Sequence, residues 1–177
     1  MTKNNSNLIL VGMPGCGKST IGILAAKILK LAFVDTDILL QQKDGRRLQE
    51  IIDSDGLLRF RELERELLSS LSFTETLIAT GGSAIYYPDA MEHLRSIGKV
   101  VYLRSPLHRV KEHLRDYSDR GIVMPSGMTI DDLYRERAPL YELYADLIVD
   151  VDNSDITGLL EEFNVQIIFV AIELLFG

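Results

Sequence analysis

The chain has 177 residues, 46% of them hydrophobic and 25% charged, with a net charge of −7. That size and balance fit one soluble domain with a sizeable core over residues 1–177, and the acidic surplus excludes non-specific nucleic-acid binding, which needs a basic face. A single cysteine excludes an internal disulfide and, with a polar start at Met1 to Asn7 that is no signal peptide, points to a reducing, cytoplasmic compartment.

Leu8 to Val11 is an apolar run entering Gly12, and from there the spacing is Gly12-x4-Gly17-Lys18-Ser19. A strand before and a helix after this pattern make a phosphate-binding loop (P-loop). Glycines let successive N–H groups turn inward toward phosphate oxygens, and the helix N-terminus adds its partial positive charge. The nucleotide cradle is therefore Gly12, Met13, Pro14, Gly15, Cys16, Gly17, Lys18, Ser19 and Thr20. Lys18 would reach the outer phosphates of ATP, and the Ser19 hydroxyl would ligate Mg²⁺. The plainer alternative, a glycine-rich turn before an ordinary helix, explains neither Lys18 nor Ser19.

The helix after the loop, Ser19 to Lys30, is expected to bury a face drawn from Ile21, Ile23, Leu24, Ile28 and Leu29. Leu31 to Val34 reads as a second strand delivering Asp35 and Asp37 to the rim that carries the phosphate loop, since ligands bind at the carboxyl ends of strands in open α/β sheets. Both aspartates are also good N-caps for the helix beginning at Ile38. From Ile38 to Leu71 the pattern is helical, broken at Asp44-Gly45 and again over Asp53 to Gly56. Its last piece places Phe60, Leu63, Leu67 and Leu71 on one face, with Arg61 and Glu64 elsewhere. Leu77 to Thr80 is a third strand opening into Gly81-Gly82-Ser83, and Pro88 starts a helix reaching about Ser96. Lys99 to Leu103 is a fourth strand, followed by a helix from Ser105-Pro106 to about Tyr117. Thr129 to Tyr144 is helical with Thr129 as N-cap, and Ala145 to Asp150 is a fifth strand. Ile156 onward reads as a closing helix. Its apolar run from Val165 to Phe176 is too short to span a bilayer and docks on the sheet or, alternatively, on a second copy. Alternation of this kind predicts an α/β fold: a three-layer α/β/α P-loop sandwich around a five-stranded parallel sheet.

No Asn-Lys-x-Asp tetrapeptide occurs for reading guanine, and the chain is short for a motor ATPase, which leaves a small kinase. The ordered set Asp35-Thr36-Asp37, Phe60-Arg61-x-x-Glu64, Gly81-Gly82, Arg120 and Arg137-Ala-Pro-Leu-Tyr141 resembles the shikimate kinases from Leu8 to about Asp150. The resemblance implies ATP as co-substrate, Mg²⁺ held by Ser19 and, through water, Asp35, and shikimate as acceptor. It implies that Asp37 is the general base, with Lys18 and Arg120 as the other catalytic groups. Arg61 and Arg137 would grip the shikimate carboxylate, for which a guanidinium fork is suited, beside Gly81 and Gly82. Without the resemblance, Arg61 reads as a surface partner of Glu62 or Glu64, and Arg137 as a solvated helix charge.

It further implies a mobile lid over about 116–128 that carries Arg120 to the nucleotide, and a substrate-binding helical part over about 36–72. Lys111, Arg115 and the loop Asp152 to Ser154 are candidates to flank adenine. Three departures from the family pattern occur: Ser83 in place of a third glycine, Leu57 in place of a glutamate, and Gly121 to Met124 after Arg120. All bear on the acceptor or the lid, so a kinase for another hydroxy acid such as gluconate, or a nucleotide-binding module without turnover, are the alternatives. His93, His108 and His113 lack metal-ligand spacing, and Cys16 reads as a small filler of the loop. A monomer is expected, with a dimer as the alternative, and neither nucleic acid nor membrane as partner.

Overall fold

The computed structural model of the protein describes residues 6–115 and 127–151. Its elements run β1 (Asn7–Val11), α1 (Lys18–Leu29), β2 (Ala32–Asp35), α2 (Thr36–Asp44), α3 (Leu48–Ser69), β3 (Thr76–Ala79), a 3₁₀ turn (Ala84–Tyr86), α4 (Pro88–Ile97), β4 (Gly98–Arg104), α5 (Leu107–Arg115), α6 (Ile130–Tyr144) and β5 (Leu147–Asp150). The expected α/β class and five-stranded parallel sheet are both present.

The sheet order is β2-β3-β1-β4-β5, and every neighbouring pair is parallel. Leu8, Ile9, Leu10 and Val11 form a continuous apolar run because β1 is central and covered on both faces. From β1 the chain steps outward to β2 and then returns across the sheet to β3, β4 and β5. Right-handed crossovers place α1 on one face and the helices of the return path on the other. Accordingly α1 packs on β2 and β3, while α4 packs on β4 and α3. Strand order reverses around β1, which is where open α/β sheets leave a crevice at their carboxyl ends.

The face of α1 differs from the expected one. Its buried stripe is Ile21, Gly22, Ala25 and Ala26, whereas Ile23 and Ile28 are 54% and 46% exposed. The reason is close approach: a Cβ on Gly22 would stand 2.7 Å from Phe33 and 3.1 Å from Leu77. Small residues let the helix that carries the phosphate loop lie tight against the sheet.

The two helical breaks fall as expected, at Gly45, which caps α2, and at Gly56, whose backbone interrupts α3. Arg46 braces the corner through Asp44 and Asp55 at 2.6 and 2.8 Å. Thr129 caps α6 in reciprocal bonds with Asp132. Among the described residues no helix is long and apolar enough to cross a membrane. Arg120 with most of its lid segment, the side chain of Arg115, the loop at 152–154 and the closing helix all lie outside the described residues.

Candidate active site

The phosphate loop joins β1 to α1, and its glycines are placed by close contacts. A Cβ on Gly12 would meet the Leu103 carbonyl at 2.7 Å, and one on Gly15 would meet Leu114 at 3.2 Å. Met13 and Cys16 are buried beneath the loop, whereas Thr20 is exposed. The Lys18 ammonium is buried and donates to the Gly12 and Met13 carbonyls at 2.7 and 2.8 Å, so it braces the loop from inside. To reach a phosphate it must exchange those two bonds for new ones. Ser19 Oγ donates to Asp35 Oδ2 at 2.5 Å. Asp35 Oδ1 accepts from the Asp37 and Ile38 amides at 3.0 and 3.4 Å, which makes Asp35 the N-cap of α2 as well.

Two residues beyond that cap, Asp37 faces the second glycine turn. A Cβ on Gly81 would lie 2.8 Å from Asp37 Oδ1 and 2.4 Å from Glu64 Oε1, so only glycine fits between the two carboxylates. Desolvation, then the nearby charges of Glu64 and Asp35, push the Asp37 carboxyl up to about 7, against the opposing pull of Lys18. Thr36 Oγ1 accepts from the Gly81 amide at 3.2 Å and locks the turn to α2. At the next position a Cβ on Gly82 would touch Pro14 and Arg137 Nη1, each at 3.0 Å. The glycine turn is thus the hinge line where the phosphate loop, Asp37 and Arg137 meet.

Arg137 is 1% exposed, which overturns the solvated-charge alternative. Its Nε donates to Tyr86 Oη at 3.1 Å, and its guanidinium lies 5.1 Å from the Tyr86 ring centre. The Arg61 guanidinium lies 5.4 Å from the same ring, with its Nε buried and without a hydrogen-bond partner. Arg61 makes no surface pair with Glu62, which goes to Arg59 instead. Two cations from α3 and α6 therefore flank one tyrosine, an arrangement suited to a carboxylate. Tyr141, packed on Tyr102 with ring centres 5.0 Å apart, donates to the Gly82 carbonyl at 2.6 Å and anchors α6 to the turn.

Glu64 corrects the sequence reading. It was expected off the buried face of α3, yet it is 2% exposed, one turn from Phe60 and beside Leu67 and Leu68. Ser83 Oγ and Tyr87 Oη donate to its Oε2 at 2.6 and 2.7 Å, which makes burial of the carboxylate affordable. Burial raises its pKa, offset by these two bonds and by the charges of Arg137 and Arg61. Tyr86 and Tyr87 carry no signal of a site in the sequence, whereas Ser83 does. The cue available was the third position of Gly81-Gly82-Ser83, where a hydroxyl replaces the family's glycine.

Lys111 pairs with Asp131 at 2.6 Å and so ties α5 to α6. His93 contacts the Leu71 carbonyl and His113 the Gly15 carbonyl, and among the described residues no group of His, Cys, Asp or Glu side chains is arranged to hold a metal by itself.

A P-loop between the central strand and the first helix, facing a cleft lined by carboxylates and arginines, defines a small P-loop kinase acting on an anionic acceptor. The family model described as shikimate kinase matches residues 14–168. The shikimate kinase of Pseudomonas paraeruginosa is 42% identical over 149 residues, covering 82% of this chain and 87% of that one. The chain belongs to the shikimate kinase family. A solved shikimate kinase from Acinetobacter baumannii in complex with shikimate superposes with a TM-score of 0.84 at 28% identity, over 94% of this chain and 95% of that chain. A gluconokinase from Sinorhizobium meliloti shares the fold at a TM-score of 0.54 and 17% identity, over 98% of both chains.

Proposed function

We propose that this protein transfers the γ-phosphoryl group of ATP to the 3-hydroxyl of shikimate, with the roles below. The observation that carries the assignment is the convergence at one glycine turn of a P-loop, a carboxylate poised near neutrality and two arginines sharing a tyrosine. Arg61 and Arg137 receive the acceptor carboxylate, and the amides of Gly81 and Gly82 approach the ring because no Cβ intervenes. Asp37 takes the proton of the 3-hydroxyl as its oxygen attacks the γ-phosphorus. The bond to the β,γ-bridging oxygen breaks and ADP leaves. A carboxyl pushed up to about 7 is matched to this task, since a share of it is ionised near neutral pH and it is basic enough to accept the proton.

Lys18 neutralises charge on the transferred group after leaving its loop carbonyls, and Arg120 is assigned a second such contact from its motif position. Ser19 Oγ and Asp35 Oδ2 are hard oxygen donors that fit Mg²⁺, which would retain waters and phosphate oxygens for its other positions. The ion would draw negative charge from the phosphate oxygens. With Oδ1 capping α2 and Oδ2 accepting from Ser19 Oγ, Asp35 suits contact through a bound water, and the Ser19 oxygen would hold the ion directly. The protein acts as a cytoplasmic monomer.

A coupled ADP-release assay with Mg²⁺–ATP against shikimate, gluconate and quinate, repeated on Arg61→Ala, tests this reading. Turnover with shikimate alone, lost in the variant, is expected. Turnover with gluconate and none with shikimate would overturn the acceptor assignment and keep the kinase.

A further inference from the structure

The phosphate loop has a brace that the mechanism above leaves unused, and it comes from a helix outside the loop. Met13 to Cys16 form a tight turn: the Cys16 amide donates to the Met13 carbonyl at 3.2 Å, with Pro14 and then Gly15, at φ +75°, between them. Proline followed by a glycine of positive φ makes this a type II turn. His113 of α5 reaches the turn, its Nδ1 lying 2.8 Å from the Gly15 carbonyl oxygen. A carbonyl oxygen only accepts, so Nδ1 carries the proton and donates. The Gly15–Cys16 peptide is thereby held at both ends, its N–H by Met13 and its C=O by His113. Gly15 has no side chain to keep α5 away: a Cβ there would stand 3.4 Å from the His113 Cβ and 3.2 Å from Leu114.

The braces of the loop fare differently when a nucleotide arrives. Lys18 holds the Gly12 and Met13 carbonyls, and those bonds are given up when its ammonium turns to the phosphates. The His113 bond involves neither Lys18 nor a loop amide, so nothing in that exchange breaks it. Resting on the kinase reading, we infer that His113 is a positioning residue for the nucleotide. By fixing the Gly15–Cys16 peptide it keeps the loop amides aligned on the phosphates after Lys18 has let go of its carbonyls. A cradle ordered in advance loses less freedom on binding. An exposed imidazole on α5 thus sets phosphate affinity through the backbone, without touching the nucleotide.

The test compares the wild type with His113→Ala, His113→Asn and His113→Gln. It measures the KM for Mg²⁺–ATP and for shikimate, and the Kd of ADP and of inorganic tripolyphosphate. The Ala variant should weaken ATP, ADP and tripolyphosphate by one common factor of about two- to tenfold, the worth of one hydrogen bond, with the KM for shikimate unchanged. The Asn amide nitrogen stands as many bonds from the backbone as Nδ1 and should restore most of the loss. The Gln amide reaches one atom further and should not, so the Asn and Gln pair decides the question even where Ala fails to fold. Weakening of ATP and ADP with tripolyphosphate unchanged would put the side chain on the base or ribose and overturn the inference. Asn as weak as Gln, unaltered affinities throughout, or a parallel rise in the KM for shikimate would overturn it as well. Absence of turnover with shikimate would bring down the acceptor assignment instead, while ADP and tripolyphosphate binding would still decide the role of His113.

Discussion

The wall of the cleft that faces the nucleotide and the wall that faces the acceptor are built on opposite principles. On the nucleotide wall Lys18 is bonded to two carbonyls, Ser19 to Asp35, and Asp35 to two amides. That wall is held in shape by its own bonds, and a ligand must displace some of them. On the acceptor wall Glu64 Oε1 and Arg61 Nε are buried without partners, and Asp37 sits among like charges that raise its pKa. Each buried polar atom left unpaired costs about 1–3 kcal/mol, so this wall is the less completely bonded of the two, while the phosphate loop is the self-sufficient part of the site.

Changes on the two walls should therefore read out differently. The largest effect is expected from Asp37→Asn, which should lower kcat by about 10²–10⁴-fold, the usual contribution of a general base, with ATP affinity nearly intact by calorimetry. Survival of turnover would remove Asp37 from its role. Gly81→Ala puts a methyl group 2.4 Å from Glu64 Oε1 and 2.8 Å from Asp37 Oδ1. It should cost about 10²-fold in kcat/KM for shikimate, the scale of a small misplacement of reacting groups, and leave ATP binding unchanged. Arg61→Ala should raise the KM for shikimate by roughly 10- to 100-fold through loss of a charged hydrogen bond, again without touching the KM for ATP.

Protonation separates the walls in a milder way. With Asp37 raised from 3.8 to about 7, kcat/KM should fall on the acid side of about pH 7. For stability the sign is opposite to that of a salt-bridged aspartate. The folded state holds this proton more tightly than the unfolded state, so the contribution is complete below about 4 and is lost as pH rises through about 7. Asp37→Asn should therefore have a higher Tm than the wild type at pH 8, with the gap closing toward pH 4. The smallest effect belongs to Arg65→Ala. Its ion pair with Asp89 at 3.0 Å is half exposed on both sides, so the change should stay within about 1 kcal/mol and leave turnover untouched.

The same contrast governs how much could be read from residues alone. The phosphate loop, the sheet class, the helix breaks at Gly45 and Gly56 and the cap at Thr129 are encoded by spacings of a few residues, and each stands where the pattern puts it. Asp37, Gly81, Gly82 and Arg137 lie together in the fold, but only a family resemblance connects them in the sequence, because they come from three separate parts of the chain: α2, the glycine turn and α6. The burial of Glu64 was not legible. On its helix it is a charged residue among charged residues, and the donors that let it go inside are Ser83 and Tyr87, beyond a whole strand. Ile23 and Ile28 failed for a related reason: which face of α1 turns inward is decided by how closely Gly22 lets the helix approach Phe33, a tertiary fact.

The ring of Tyr86, with Arg61 reaching it from α3 and Arg137 from α6, has a mechanical consequence. Glu64 already offsets part of the charge of the two positive arms. An acceptor carboxylate seated between them would work as a tie-rod, coupling two helices that reach the cleft from different stretches of chain. Amide hydrogen exchange in both α3 and α6 should slow together when shikimate binds, and its methyl ester, which carries no charge to pull on either arm, should leave both helices as loose as before. The substrate is then a structural member of the protein that consumes it, fitted at the start of each turnover and removed at the end.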